Sequence, residues 1–465
     1  MTAFVRPIET VTADNRTLSP AQPIAFYDDA LGSAGQEGNL LCIYDQVQYQ
    51  RILGFGGAFT EATALNYAAL TPAQREQVLS AYFNAKEGIG YNFCRLTINS
   101  CDFSEDFYSY DDVADDFELS HFDIGHDRQH ILPMVREAQH RSPGLLCLAS
   151  PWSPPAWMKT NGRMDKGGAL RADCQDVWAR YVARYIQEYD KEGVRVWGVT
   201  VQNEAKAEQG WESCTYTAAQ ERDFILGYLR PALERSGLGD RKVFFWDHNK
   251  ERAVERALET MGSDRARAAV DGIAVHWYSG DHFTALDVFH ELFPDKLILS
   301  TEHCVGKTPG IPWASGERYA HDIIGDLNHW ASAWQDWNML LHEDGGPDHW
   351  LQEQRDNNQD PASIWIGESP ILLNRQNGQL EFASSYAYIG HFSKYIRRGA
   401  RRIGYSLFTD KLEACAMRNP DGQIVVVLMN AGETDQPVRL RLHGRLVDYR
   451  SRAHSITTFL VDTGI

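Results

Sequence analysis

Between about residue 50 and residue 395, apolar, β-branched runs alternate with stretches that carry apolar side chains at helical spacing. Asp176–Glu192 is typical of the helical stretches, because its apolar residues recur every three to four positions. The runs predict eight strands, at Ile52–Phe59, Tyr91–Ile98, Leu145–Ala149, Val194–Val201, Val243–Trp246, Gly272–Trp277, Leu297–Thr301 and Ala333–Met339. Eight strand–helix alternations predict an α/β fold, a (β/α)8 TIM barrel with long insertions, rather than a doubly wound sheet.

The two ends of the chain have a different pattern, in which short strand-like segments follow one another. Near the C-terminus, Val438–Leu442 alternates with a period of two, which is typical of a half-buried strand. Further strand-like segments are Ile24–Tyr27, Leu40–Tyr44, Gln423–Met429 and Ser455–Val461. We therefore predict an all-β sandwich domain built from both termini. Its parts are residues 1–48 and 396–465, and the catalytic barrel spans residues 49–395.

Two predicted barrel strands end abruptly in a glutamate, at Glu204 and at Glu302. A TIM barrel keeps its chemistry at the carboxyl ends of its strands, so both side chains are expected at the same face. Two facing carboxylates are the machinery of glycoside hydrolysis. We interpret Glu302 as the nucleophile and Glu204 as the acid/base, whose pKa burial and a neighbouring carboxylate would raise. For either glutamate alone, a structural cap or ion pair is the alternative.

Other predicted strand ends carry polar and aromatic residues of the kinds that bind sugars, which combine hydroxyl groups with apolar faces. Asn203 precedes Glu204, and its amide could bind a sugar 2-hydroxyl. The remaining candidates are Arg95, Asp102, the segment Ser150–Trp157, His276, Tyr278 and Trp337. Core packing is the alternative for any single aromatic residue, but four such clusters at strand ends favour a binding site.

Charge and composition exclude several classes of function. The net charge of −18 would repel nucleic acid and anionic lipid. No run approaches the ~18 apolar residues of a membrane span, so we expect no transmembrane segment. The first residues lack the apolar core of a signal peptide, which predicts a cytoplasmic protein. The eight cysteines form no CxxC pair and are expected to be reduced and mostly buried.

Three other signals have simpler interpretations. The glycines of Gly54–Gly57 lack the spacing of a dinucleotide-binding loop and predict a tight turn at the barrel mouth. His121, His126 and His130 lie in a polar segment without a zinc-ligand pattern, so no metal is expected there. Cys304 follows Glu302 closely but has no evident base partner, which predicts a packed thiol rather than a second nucleophile.

Taken together, these motifs resemble glycoside hydrolase family 30, and within it the glucosylceramidase branch. The resemblance covers most of the chain and rests on Gly54–Ala58, Glu87–Asn92, Ser100–Ser104, Ala149–Trp152, Gly272–Tyr278, Asp336–Asn338 and Gly345–Pro347. It implies Glu204 as acid/base and Glu302 as nucleophile. It also implies glucose contacts from Asp102, Trp157, Asn203 and Trp337, with Tyr278 and Arg95 beside the nucleophile. One departure is Ala205, which stands where the family has proline after Asn-Glu.

The expected function is hydrolysis of a small-molecule or lipid-linked β-D-glucoside with retention of configuration. No cofactor or metal is expected, because the two carboxylates handle both the protons and the covalent intermediate. The alternatives are a β-1,6-glucanase or β-xylosidase of the same family, or a carbohydrate-binding protein without catalysis. The sequence leaves the natural aglycone and the oligomeric state open.

Overall fold

The computed structural model describes residues 4–14, 16–30, 37–357, 360 and 364–462. The strands are, in chain order, β1 Phe4–Val11, β2 Arg16–Pro20, β3 Ile24–Ala25, β4 Tyr27–Asp28, β5 Leu40–Arg51, β6 Gly54–Phe59, β7 Phe93–Ile98, β8 Leu146–Pro151, β9 Val196–Thr200, β10 Lys242–Asn249, β11 Gly272–His276, β12 Leu297–Glu302, β13 Val305–Gly306, β14 Ala331–Asn338, β15 Leu340–His342, β16 Gly367–Glu368, β17 Ile371–Asn374, β18 Gln379–Phe382, β19 Arg401–Leu407, β20 Glu413–Arg418, β21 Ile424–Asn430, β22 Gln436–Leu442, β23 Arg445–Ser451 and β24 Ser455–Val461. The α-helices are α1 Glu61–Ala69, α2 Pro72–Phe83, α3 Ile131–Arg141, α4 Gln175–Lys191, α5 Ala218–Phe224, α6 Arg230–Arg235, α7 Ala253–Thr260, α8 Asp264–Ala269, α9 Phe283–Leu292, α10 Ala314–Asn328, α11 His349–Asp356 and α12 Ser384–Ser393.

Eight parallel strands close into a barrel in the order β6-β7-β8-β9-β10-β11-β12-β14, and β14 pairs with β6. Each corresponds to one predicted strand, so the (β/α)8 prediction is confirmed. Strands β6, β7 and β14 are buried along their whole length, as expected where helices cover the outer face. Gly56 lies in β6 where a Cβ atom would meet the carbonyl oxygen of Phe93 at 2.0 Å, so the strands can approach only at a glycine.

Apolar side chains fill the barrel on both sides of its wall. Phe93, Leu148, Phe244 and Leu299, from four different barrel strands, belong to one buried cluster. A larger core joins the strands to the surrounding helices, and helix α4 contributes the face predicted from its spacing. Its buried residues include Val177, Tyr181, Tyr185 and Tyr189. The wall is thus rigid, which is what positions side chains at the strand ends.

The second domain is built from both termini, as predicted. Its strands pair in the order β2-β1-β24-β21-β20-β19-β5-β22-β23-β4, and β3 pairs with β1. Strands β1, β2, β19, β20 and β23 were not predicted, and the predicted strand Ile24–Tyr27 is divided into β3 and β4. Strand β5 continues to Arg51, across the predicted boundary at residue 48. The domain boundaries stay a prediction.

One buried histidine joins the barrel to the sandwich. His391 lies in α12, and its two ring nitrogens are each 2.8 Å from a threonine hydroxyl, of Thr10 in β1 and of Thr458 in β24. Burial lowers the pKa of His391 to about 3, so the ring is neutral at pH 7. Among the described residues, no helix combines the length and the apolar content needed to cross a membrane.

Candidate active site

A cavity of about 340 Å³ opens at the carboxyl ends of the barrel strands. It gathers six of the predicted site residues: Asp102, Asn203, Glu204, Tyr278, Glu302 and Trp337. Two further predicted residues, Arg95 and His276, are fully buried and contact the cavity carboxylates from behind. The position of these side chains follows from the fold, because parallel barrel strands all release their next residues at one face.

The carboxylate of Glu302, at the end of β12, is held on both oxygens. The guanidinium of Arg95 donates to Oε2, and the hydroxyl of Tyr278 donates to Oε1 at 2.8 Å. Arg95 is buried in β7 and lies with its Cζ 4.7 Å from the ring centroid of Trp152. A charge-assisted bond from a buried arginine favours an ionised, fixed carboxylate.

Sequence reasoning missed Asp247, which lies behind Arg95 and His276 and is fully buried. Arg95 Nη2 donates to Oδ2 at 2.7 Å, and His276 Nε2 lies 3.0 Å from Oδ1. The hydroxyls of Thr200 and Thr301 donate to the same carboxylate at 2.6 and 2.7 Å. Although burial opposes the charge, these partners hold the pKa of Asp247 well below its usual range. Asp247 thus fixes two groups that contact the cavity carboxylates.

A β-bulge in β10 brings Asp247 to this position. Trp246 and Asp247 have φ angles of 75° and 47°, in the left-handed region that residues other than glycine seldom adopt. The pairing with β11 slips by one residue between Trp246 and His248. Bulges re-aim side chains, and here the bulge turns the residues after Trp246 toward the strand ends. No hydrophobic pattern in the sequence predicts this bulge. The polar segment Asp247–Lys250, directly after the predicted strand Val243–Trp246, was a signal that could have identified Asp247 as a site residue.

Glu204 follows β9 in a turn and itself has a φ of 48°. Its backbone N–H donates to Asp247 O at 2.8 Å, and Gln209 Nε2 donates to its Oε2 at 3.3 Å. Its Oε1 lies 3.5 Å from His248 Nδ1 and 3.6 Å from His276 Nδ1. Replacing the family's proline with alanine leaves the turn closed, since Ala207 N–H donates to Glu204 O at 2.8 Å.

The pKa of Glu204 moves in the direction opposite to the one predicted. Burial raises it, but the close approach of His276 and His248, whose protonated rings favour the ionised carboxylate, outweighs burial and lowers the pKa. The expectation of a raised pKa assumed a second carboxylate as the main neighbour. The structure places two imidazoles beside Glu204. Burial opposes a charge on His276, but the carboxylates of Glu302, Asp247 and Glu204 outweigh burial and raise its pKa to about 9.

One imidazole links the two glutamates. His276 Nδ1 lies 3.6 Å from Glu204 Oε1 and 3.9 Å from Glu302 Oε1, so the two oxygens cannot be farther apart than these two distances laid end to end. The about 5–5.5 Å separation of retaining glycosidases lies within that limit, whereas the upper part of the about 6.5–9.5 Å range of inverting enzymes lies outside it. The geometry is therefore compatible with a direct attack by one carboxylate and excludes only the widest separations of inverting enzymes.

The rest of the cavity combines a carboxyl group with aromatic faces. Asp102 is half-buried, and desolvation of its carboxyl group and the charges of nearby carboxylates, Asp348 first, raise its pKa well above the usual value. Its Oδ1 has no hydrogen-bond partner among the described residues, so a bound hydroxyl would satisfy it. Trp152 and Trp337 stack with their ring centroids 5.0 Å apart. This combination suits a sugar ring.

The structure does not bring Trp157 into the cavity. Its indole N–H donates to Asp111 O at 2.9 Å, and its ring packs edge-on against Phe117. Trp152 lines the cavity instead, because β8 continues to Pro151 and releases the next residue at the barrel mouth. The prediction chose the wrong tryptophan of the segment Ser150–Trp157, and proximity to the strand end was the signal that separates them.

The alternatives for the other motifs are also decided by contacts. His121 bonds Asp116 and His126 bonds Glu61, so these two imidazoles do not share a ligand. The glycines Gly54–Gly57 lie within β6, inside the barrel wall rather than in a turn at its mouth. Burial raises the pKa of Cys304 well above its usual value, which keeps the thiol protonated at the cavity edge.

Comparison with known proteins identifies the family. The Glycosyl hydrolase family 30 TIM-barrel domain matches residues 52–396, and the family's beta sandwich domain matches residues 399–459. The chain is 34% identical to the lysosomal acid glucosylceramidase of Mus musculus over 87% of this chain and 79% of that protein. It is 30% identical to an endo-1,6-beta-D-glucanase of Neurospora crassa, over 82% and 79%. The crystal structure of SrfJ from Salmonella typhimurium superposes with a TM-score of 0.91 at 32% identity, covering 98% of this chain and 99% of that one. The chain belongs to glycosyl hydrolase family 30.

Proposed function

We propose that this family 30 hydrolase is a retaining β-glucosidase of the glucosylceramidase type. The observation that carries the proposal is the pair Glu204 and Glu302, which are buried after β9 and at the end of β12 and are linked through His276. The glucosylceramidase of Mus musculus, 34% identical over most of both chains, supports glucose as the sugar.

In the first step, Glu302 attacks the anomeric carbon and forms a glucosyl–enzyme ester. Arg95 and Tyr278 donate to its two oxygens, so the attacking carboxylate is held in place without reorganisation. Glu204 gives its proton to the leaving oxygen. A bound substrate expels water from the cavity and so removes solvation from the carboxylate of Glu204. This desolvation raises the pKa of Glu204, so that it can carry the proton that it donates.

In the second step, Glu204 acts as a base and takes a proton from the water that attacks the ester. Its lowered pKa in the free protein suits this half of the cycle, because a base must be ionised. The free enzyme is then restored with Glu302 ionised beside Arg95. No residue beyond these carboxylates needs to change its covalent bonding.

The sugar lies between Asp102 and the stacked indoles of Trp152 and Trp337. The unpartnered Oδ1 of Asp102 accepts a hydroxyl hydrogen, and Asn203, which lines the cavity beside Glu204, is assigned to the 2-hydroxyl. Because Glu204 protonates the leaving oxygen, residues on its outer side face the aglycone. Gln209, Trp211 and Trp365 line the cavity, Gln209 in contact with Glu204, and Trp365 is half exposed, which supports an apolar or lipid-linked aglycone.

Labelling with 2-deoxy-2-fluoro-β-glucosyl fluoride tests the proposal. The fluorine at C2 slows both steps, and fluoride leaves without an acid, so the ester should accumulate on the peptide that contains Glu302. We expect labelling of the wild type and of Glu204→Gln, and none of Glu302→Gln. The two variants form a matched pair, since each replaces one cavity carboxylate by an isosteric amide. Labelling at another residue, or a Glu302→Gln enzyme with wild-type kinetics, contradicts the assignment.

An endo-β-1,6-glucanase is the second candidate, because a relative of that name is 30% identical over 82% of this chain. It would share both glutamates and differ in the groove around them. Rates on aryl β-glucosides, aryl β-xylosides and β-1,6-glucan separate this candidate and a β-xylosidase from the glucosidase. Absence of both labelling and turnover would favour a carbohydrate-binding protein.

A further inference from the structure

Three side chains converge on one point at the floor of the cavity. Glu204 Oε1 lies 3.5 Å from His248 Nδ1 and 3.6 Å from His276 Nδ1, and all three atoms lie within 4.8 Å of one another. The proposed hydrolysis assigns no role to His248. Its Nδ1 and that of His276 are buried and have no hydrogen-bond partner in the part of the chain that the structure describes.

The distances match the coordination shell of a small metal ion. A tetrahedral ion with ligands at about 2.0–2.1 Å separates neighbouring ligand atoms by about 3.4 Å. The two measured separations exceed that value by only a few tenths of an ångström. Glu302 Oε1 lies 3.9 Å from His276 Nδ1, next to this set of three but not part of it.

The second nitrogen of His276 orients the ring for this role. His276 Nε2 lies 3.0 Å from Asp247 Oδ1, and because an ionised carboxylate only accepts, Nε2 carries the hydrogen. Nδ1, which lies beside both glutamates, is therefore the nitrogen that a metal ion would bind after displacing its proton. A carboxylate behind a ligating histidine is the usual support of such ligands and strengthens their binding.

The backbone provides an independent indication. The bulge in β10 holds Trp246 and Asp247 at positive φ, which costs free energy in residues with a Cβ atom. It is this bulge that places His248 against Glu204, with its ring nearly perpendicular to that of His276. Backbone strain of this kind concentrates where a protein positions side chains for a function.

We propose that Glu204, His248 and His276 bind a divalent transition-metal ion such as Zn²⁺ or Co²⁺ and that the bound ion blocks hydrolysis. Two imidazoles with carboxylates select these ions over Mg²⁺ and Ca²⁺, which prefer oxygen ligands. A metal held here occupies the carboxylate of Glu204, next to Glu302, and excludes the substrate. The blocking of hydrolysis rests on the proposed function, whereas the binding of the ion does not.

Two competing sites can be separated from this one. His303, Asp322 and Asp326 also converge, but the ammonium group of Lys250 lies 2.8 and 2.6 Å from the two aspartates and already neutralises them. Cys304 lines the same cavity, and thiolate is a ligand for Zn²⁺. Its replacement is therefore the matched control.

The test titrates the full chain, stripped with a chelator, with Zn²⁺ by calorimetry and with Co²⁺ by visible absorption. The proteins are the wild type, His248→Asn and Cys304→Ser, with circular dichroism as the check of folding. We expect one site in the wild type, the absorption bands of tetrahedral Co²⁺, and an affinity at least about tenfold lower in His248→Asn. Cys304→Ser should bind like the wild type. Equal affinities of His248→Asn and wild type, or loss of binding in Cys304→Ser, overturn the proposal.

Turnover separates this proposal from the proposed function. Zn²⁺ should inhibit hydrolysis of an aryl β-glucoside by the wild type over the concentrations at which calorimetry records binding. If no glycoside is hydrolysed while Zn²⁺ binding still depends on His248, the proposed function fails and the metal site stands. If glucosides are hydrolysed and Zn²⁺ does not bind, the metal site fails alone.

Discussion

Asp247→Asn is the most informative single change, because it removes one charge from the centre of the site and keeps the shape of the side chain. The carboxylate of Asp247 accepts hydrogen bonds from Arg95, His276 and two threonine hydroxyls. None of these groups touches the exterior of the protein. The amide that replaces the carboxylate has one acceptor oxygen fewer and turns an N–H group toward other donors.

The magnitude follows from the partners that remain. Breaking a buried ion pair costs about 3–5 kcal/mol, and Arg95 keeps Glu302, which favours the lower end, about 3 kcal/mol. An unfolding entropy of about 2.1 cal/mol/K per residue amounts to about 1 kcal/mol/K for 465 residues, so the Tm should fall by about 3 °C. Displacing catalytic groups by about 1 Å costs about 10²-fold in rate, which is the decrease we expect in kcat/KM.

Differential scanning calorimetry and hydrolysis of an aryl β-glucoside measure the two effects. Asp271→Asn is the matched control, because Asp271 also pairs with two cations, Arg230 at 2.6 Å and Lys242 at 2.8 Å, at the opposite end of the barrel. Its kcat/KM should stay at the wild-type value. Wild-type Tm and kinetics in Asp247→Asn, or an equal fall of kcat/KM in Asp271→Asn, would refute the reasoning.

Two further predictions concern single contacts. Tyr278→Phe removes a hydrogen bond of 2.8 Å to the carboxylate of Glu302, worth about 1.5–3 kcal/mol, so kcat/KM should fall by about 10- to 150-fold in steady-state assays with little change in Tm. An unchanged kcat/KM would show that the hydroxyl does not act on the nucleophile. His391 has a folded pKa of about 3 against 6.5 for the free side chain, so the unfolded chain takes up the proton first as the pH falls. Its contribution to stability is complete above pH 6.5 and declines toward pH 3 by up to about 1.4 kcal/mol per pH unit, so His391→Gln should flatten the dependence of Tm on pH in this window. An equally steep dependence in the variant would contradict this.

The barrel could be predicted because buried parallel strands are continuous apolar runs, and all eight were found within a few residues of their observed bounds. Strands of the sandwich were harder to recognise where they carry charges. β1, Phe4–Val11, contains proline and glutamate, and β23, Arg445–Ser451, carries two arginines and an aspartate on a partly exposed sheet. Their pairing is set by partners far along the chain, such as β24 for β1, which no local pattern records.

The same distinction explains what could be predicted of the site. Glu204 and Glu302 were recognisable because a carboxylate at the end of an apolar run lies at the face of the barrel where its strands end. Asp247 and His248 lie at the end of a strand as well, yet their side chains reach the cavity only through a bulge with two positive φ angles, which the sequence does not announce. The expected pKa of Glu204 was wrong for the same reason, since its direction depends on the imidazoles that the bulge and β11 place beside it. Strand ends thus predict which groups can react, and backbone irregularities decide which neighbouring groups set the pKa values of those reactive groups.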